Sequence, residues 1–283
     1  MQDAVTNPFV CWAKWPQPKS SPRRHPLLCH MLDVAAVAEA MWMLVFPMSA
    51  RLRYATAVGL DEATAGRWFA FLAGSHDIGK ASPVFQLQVA AAQPLLQSAG
   101  LPCPTMADMA ARHGAISARV LEEALPAVFG MPASVARTIA TVVGGHHGVF
   151  PTSDDLRELN GTAVGKGAWQ TVRTDLLRRT AVALRVPNST SPQKVDNATA
   201  MILAGLISVA DWVGSNTEYF EPLIGEDGTV SPLLNEATYL ALAQNKAEQA
   251  LRRLGWVGWN APPQTASFRD LFPGIERPRP LQE

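Results

Sequence analysis

RWFAFLAGSHDIGKASPVFQ, residues 67–86, is the stretch from which the rest of the chain is read. Its first eight residues form an apolar run with helical character, Ile78-Gly79 are turn residues, and between them stand His76 and Asp77. Neighbouring side chains leave the backbone in divergent directions. Asp77 can therefore bridge two cations while His76 binds one. Lys80 stands a helical turn beyond His76 and by itself reads equally well as a solvated surface lysine. Ser82-Pro83 reads as a helix cap and first-turn pair.

Working outward, the chain has six histidines: His25, His30, His76, His113, His146 and His147. His30 shares a helix face with Val34, Val37 and Met41, and His113 lies in ARHGAIS. Either one alone is more often a hydrogen-bonded core residue than a ligand. The tandem His146-His147 follows Gly144-Gly145 and can supply two nitrogens at a helix end. His25, after Arg24 and before Pro26, has a loop-like context and is left out of the site.

Asp211 lies in MILAGLISVADWVGS, an otherwise apolar helix. A lone buried carboxylate costs several kcal/mol unless it is paired or bound to a metal. A cap, a surface position or a buried ion pair are the alternatives, and no basic residue lies within two turns. Imidazole with carboxylate suits manganese, iron, cobalt, nickel or zinc better than an all-oxygen magnesium cage.

The fold expected is all-α. Helices are predicted over 26–46, 62–75, 81–99, 110–125, 132–147, 169–184, 196–219 and 234–254, their side chains converging on one centre. Strand signals are scarce. The polar, glycine-bearing segment 148–167 follows the paired histidines, a place where long loops are often functional. Residues 1–259 are taken as one domain and 260–283, rich in Pro, as a linker.

The 283 residues are 48% hydrophobic and suffice for a sizeable core. Lys plus Arg and Asp plus Glu are both 24, so the charges balance and nucleic acid is not held by net charge alone. If a nucleic acid is bound, it has to be gripped locally or delivered by another domain. Cys11, Cys29 and Cys103 are sparse and unpaired in sequence, as in a reduced cytosolic protein, and are read as buried small hydrophobes. The N-terminal stretch lacks the pattern of a signal peptide, and the longest apolar run, 198–213, is short for a membrane span. A soluble, cytoplasmic protein with no membrane partner is expected. These residues hold no P-loop.

In this order the residues resemble the HD phosphohydrolase superfamily, and more narrowly the HD nuclease domain of the CRISPR-associated type I nuclease-helicase. The strings that carry the resemblance are HPLLCHMLD (25–33), GSHDIGKASPVFQ (74–86), RHGAIS (112–117), VVGGHHGVFP (142–151) and SVADWVGSN (208–216). PRPLQ (278–282) is similar to the start of a helicase portion. The chain is therefore expected to be the nuclease part of a longer protein, or a stand-alone version that kept a stub.

The resemblance implies an HD-domain helical bundle with two divalent transition-metal ions: iron, manganese, cobalt or nickel first, then zinc or magnesium. His30, His76, Asp77 and Asp211 would hold one ion; Asp77, His113, His146 and His147 the other. Asp77 and Lys80 would serve catalysis. It also implies cleavage of single-stranded DNA by an activated water, with a helicase portion and a CRISPR surveillance complex as partners. Two rival readings remain open: an HD hydrolase of nucleotides or cyclic dinucleotides, and a binding module whose metals only staple the fold.

Overall fold

A computed structural model describes residues 7–15, 24–105, 111–187, 189–224, 235–257, 267–275 and 277. Its elements, in chain order, are strands β1 (Trp12–Lys14) and β2 (His25–Pro26), then α1 (Leu27–Ala40), α2 (Met48–Val58) and α3 (Glu62–Gly74). Next come α4 (Pro83–Gln86), α5 (Gln93–Ser98), α6 (His113–Phe129), α7 (Ala133–Gly144), α8 (Ser153–Arg157) and α9 (Gly161–Val164). The remainder are α10 (Ala168–Ala183), α11 (Asn197–Gly214), α12 (Glu236–Arg253) and α13 (Phe268–Leu271). Among the described residues the fold is helical, with one antiparallel two-stranded ladder, β1–β2, that strand signals did not suggest.

Helix α1 organises the core. Leu27 to Ala38 are all buried, as befits a helix apolar all round, and α1 packs against α3, α11 and α12. By length and composition 27–45 and 197–214 reach what a membrane crossing requires, yet 72% and 50% of these windows lie inside the fold. Both are core helices here. Side-chain caps set several starts: Asp61 accepts from Thr64 N at 2.9 Å, Asp196 from Thr199 N at 2.7 Å and Asn235 from Thr238 N at 2.9 Å.

The structure corrects several expected boundaries. The 26–46 helix is α-helical only to Ala40 and closes with a π-helical turn, Met41–Val45. Helix α2 was not anticipated, although Pro47 before it and left-handed Gly59 after it mark its ends. The single helix expected over 81–99 is broken into α4, a 3-10 turn at Ala90–Ala92 and α5, with prolines at the starts of α4 and α5. The helix expected over 132–147 stops at Gly144, leaving His146 and His147 in a turn. The 148–167 segment is not a bare loop: it holds α8 and α9. Arg173 pins it, donating to the carbonyls of Val164 (2.7 Å), Gly165 (2.8 Å) and Ala81 (2.9 Å). In the 260–283 tail, Ser267 and Asp270 form a capping box on α13; the PRPLQ string lies outside the described residues. Cys11 and Cys29 are buried as read, whereas Cys103 is only half-buried.

Candidate metal centre

His76 and Asp77 sit where α3 ends. The His76 Nδ1 faces the Ala73 carbonyl at 2.7 Å, and His146 Nδ1 faces the Val143 carbonyl at 2.8 Å. Both carbonyls lie in the last turn of a helix, where the i+4 partner is missing; that of Ala73 also accepts from the His76 N–H at 3.2 Å. A carbonyl only accepts, so Nδ1 carries a proton in both rings and Nε2 is the nitrogen turned toward the centre.

Two close approaches bring distant segments together. A Cβ on Gly79 would overlap the His113 carbonyl, and the Gly79 N–H donates to Ser117 Oγ at 2.9 Å. Only glycine lets the HDIG turn lie on the first turn of α6. A Cβ on Gly114 or Gly144 would likewise overlap the other's carbonyl, so α6 and α7 cross with backbones touching. That crossing sets His113 beside the 146–147 pair.

All seven expected ligands converge, with Asp77 between two groups of imidazoles. Its Oδ2 is 3.0 Å from His30 Nε2 and 3.3 Å from His76 Nε2. Its Oδ1 is 3.2 Å from His113 Nε2 and 3.6 Å from His146 Nε2. Asp211 Oδ1 lies 3.3 Å from His76 Nε2 and 3.7 Å from His30 Nε2. His147 Nε2 meets His113 Nε2 at 3.1 Å. His146 sits at the boundary between the groups, because its ligand nitrogen also converges with those of His76 and Asp211. Lys80 Nζ reaches Asp77 Oδ2 at 2.7 Å, so it is no free surface lysine.

These contacts are close, but many are not hydrogen bonds. Nε2 of His30, His76 and His146 and Oδ1 of Asp77 are buried and lack a hydrogen-bond partner among the described residues. Leaving such groups unmet costs about 1–3 kcal/mol each. Several lone pairs aimed at one small volume are what a cation requires, and the mixed nitrogen–oxygen donor set fits a divalent transition metal. The residues present therefore fit the metal that the sequence implies.

Burial pushes His30 down to about 4 and His146 down to about 3, so both rings are neutral near pH 7. His147 is also lowered, by burial and then by His113. For His76 burial opposes the charge too, but Asp77 and Asp211 outweigh it and lift the ring to about 10. Burial likewise works against ionised Asp77 and Asp211. The charges of His76 and Lys80 on Asp77, and of His76 on Asp211, nonetheless hold both well below the usual carboxylate range. The protein's own side chains thus keep two carboxylates ionised and favour a proton on His76.

Other residues around the centre were missed. His25 is buried, contrary to its loop-like reading, and its Nε2 lies 2.7 Å from Asp33 Oδ2. Tyr239 of α12 donates to Asp33 Oδ1 at 2.8 Å. Asp33 stands in an apolar helix, the same signal that exposed Asp211. Ser215 Oγ donates to Asp211 Oδ1 at 2.7 Å. Ser82 occupies the cap position of α4, but its hydroxyl donates to the Gly79 carbonyl at 2.7 Å instead of capping the helix.

Known proteins resemble this chain in sequence and fold. Residues 12–220 match the family described as Cas3, HD domain. The CRISPR-associated endonuclease/helicase Cas3 of Thermus thermophilus is 37% identical over 279 residues, which are 97% of this chain and 28% of that protein. A crystal structure of a CRISPR-associated protein superposes with a TM-score of 0.86 at 45% identity, over 96% of this chain and 30% of the other. The Thermus thermophilus Cas3 HD domain, crystallised in the presence of Ni2+, gives a TM-score of 0.64 at 32% identity, over 88% of this chain and 90% of that one. The chain spans under a third of the length of the first two. The match takes in every residue of the centre from His30 to Asp211, and the chain belongs to the Cas3 HD-domain family.

Proposed function

We propose that this chain is a metal-dependent nuclease domain that hydrolyses phosphodiester bonds of single-stranded DNA in CRISPR interference. The observation that carries the reading is the division of Asp77, whose two oxygens face different imidazole groups across a centre of unpartnered buried lone pairs. On this reading His30, His76, Asp77 and Asp211 hold one cation, and Asp77, His113, His146 and His147 hold a second. Two divalent cations there supply an activated water and offset the charge gathering on phosphorus.

The chain's own residues do the rest. Burial keeps His30 and His146 unprotonated and available as ligands. Asp77 joins the two halves, and Lys80 is placed to turn from its carboxylate to a phosphate oxygen. The centre is buried at His30 and His76 but opens at His113 and His147, which favours a site reached by substrate over a closed metal staple. Trp212, next to Asp211, is 72% exposed and offers an indole face on which an unpaired base can stack. The balanced charge fits a domain to which a helicase portion delivers the strand, after a surveillance complex has opened the target. Free cysteines, two of them buried, fit work in the reducing cytoplasm.

The test is metal analysis of anaerobically purified protein, with a chelator-sensitive assay on circular single-stranded DNA, duplex DNA and deoxynucleotides. Cleavage of the circular strand that is lost with chelator and with Asp77→Asn supports the reading. Hydrolysis of nucleotides alone would move it to a nucleotide phosphohydrolase. Metal that raises the melting temperature while no phosphodiester is cut would leave a stapled binding module.

A further inference from the structure

Lys14 is the last residue of β1, and the order of ligands along the chain gives it no role. The structure holds it firmly. Lys14 stands opposite His25 in the ladder, and Leu27 N donates to the Cys11 carbonyl at 2.8 Å. The Gln86 amide brackets the neighbouring Trp12, accepting from its backbone N–H at 3.0 Å and donating to its carbonyl at 2.8 Å. The same Gln86 nitrogen donates to the Lys80 carbonyl at 2.9 Å. One side chain thus ties the strand carrying Lys14 to the turn carrying Lys80.

Lys14 Nζ donates to the Ser215 carbonyl at 2.6 Å, just past the end of α11. Ser215 in turn donates its hydroxyl to Asp211 Oδ1. Ser215 therefore stands between the ammonium and the carboxylate. Lys14 is close enough to feel the charges of Asp211, Asp77 and Lys80, yet it forms no ion pair among the described residues. Lys80 differs, because it sits directly on Asp77.

A half-buried ammonium without a carboxylate is costly, and burial does push its pKa down, with Asp33 opposing. An ammonium has three N–H donors, and among the described residues one is used. A lysine kept off the ligand carboxylates does not compete with a cation for them, and its remaining N–H donors stay available to an anion on the Asp211 side.

We propose that Lys14 is a second substrate-contacting cation, which binds a backbone phosphate of the DNA strand on the Asp211 side while Lys80 serves the Asp77 side. This rests on the nuclease reading above. The competing role is a clamp on the carbonyl end of α11, favourable to the fold and indifferent to DNA.

The two roles separate in the salt dependence of binding. Affinity of the metal-loaded chain for a phosphorothioate-linked oligothymidylate, which resists cleavage, is measured by fluorescence anisotropy across a salt series. For a single strand, each phosphate that the protein no longer neutralises makes the slope of log affinity against log salt shallower by about 0.7. Lys14→Gln is expected to show that change and a lower kcat/KM with metal content intact. Lys14→Arg should restore the slope, and Lys194→Gln, at an exposed position, should leave it alone. An unchanged slope in folded, metal-loaded Lys14→Gln overturns the proposal, whatever happens to its melting temperature.

Should Lys14→Gln not fold, amine acetylation of the wild-type chain read by mass spectrometry takes its place. Protection of Lys14 by the oligonucleotide supports the proposed role, and equal labelling with and without it overturns that role. A wild-type chain that neither binds nor cuts single strands sinks the nuclease reading and this one together. A wild-type chain that does both, with no dependence on Lys14, sinks this one alone.

Discussion

Lys80 places its ammonium 2.7 Å from Oδ2 of Asp77, the oxygen that also faces His30 and His76. Without a cation, two ionised carboxylates in a buried centre need compensating charge, and Lys80 and protonated His76 provide it. Metal loading removes that need. A cation bound there would compete with Lys80 for the carboxylate and would leave its ammonium for an anion.

Lys80→Ala is therefore expected to retain full metal content, because the ammonium competes for an oxygen that a cation uses. Turnover on single-stranded DNA should fall by about 10²-fold, the order found when one positioned charge or donor is removed from an active site. Metal analysis and single-turnover rates check this together. Loss of metal would show that Lys80 helps to build the centre.

The pH dependence follows from His76. Its folded metal-free pKa, about 10, lies above the ordinary value of 6.5. The stabilisation it gives the metal-free protein is complete below pH 6.5 and is lost as pH rises through about 10. A ligand imidazole must be neutral, so metal binding displaces this proton. Between about pH 7 and 9 the apparent metal affinity should rise about tenfold per pH unit for one proton released. Calorimetric titrations in buffers of different ionisation enthalpy count the proton, and an affinity flat with pH would contradict the assignment.

Gly79→Ala should destabilise the protein by about 1–3 kcal/mol, the usual cost of forcing a methyl group into a filled space. Here the obstacle is backbone, the His113 carbonyl, which has little freedom to yield. The same strain should pull the HDIG turn off α6 and weaken metal binding in parallel. Thermal melts with and without metal test both effects, and an unaltered melting temperature would show that the turn has slack.

Tyr239→Phe removes the hydroxyl that donates to Asp33 Oδ1 in the core and leaves that carboxylate with His25 as its neighbour on the other oxygen. A loss of about 1–3 kcal/mol is expected from the unmet buried group. Urea unfolding at constant m-value measures it. A wild-type midpoint would show that Asp33 finds another donor.

Much of the centre was legible because each of its residues broke a local rule. Asp211 was a carboxylate in an apolar helix, and the 76–77 and 146–147 pairs stood at helix ends beside small residues. Helix existence was legible for the same reason, since α3, α10 and α11 bury long apolar faces at helical spacing. The broken helix over 81–99 was not: its apolar content continues across Gln86 and Pro94, while the segment bends to let Gln86 reach Trp12 and Lys80.

What the residues determined alone was the chemistry on offer: five imidazoles, two acids and a lysine in an order that one family shares. Only the tertiary structure decided how they are used. The division of Asp77 between two groups, the contact of Lys80, the burial of His25 with Asp33 and Tyr239, and the arrival of Lys14 at Ser215 all depend on how the chain folds back on itself. Periodicity reports which face of a helix is buried. Which neighbour meets that face depends on helix crossings, and those are set by the space that side chains, or the glycines lacking them, leave where helices meet.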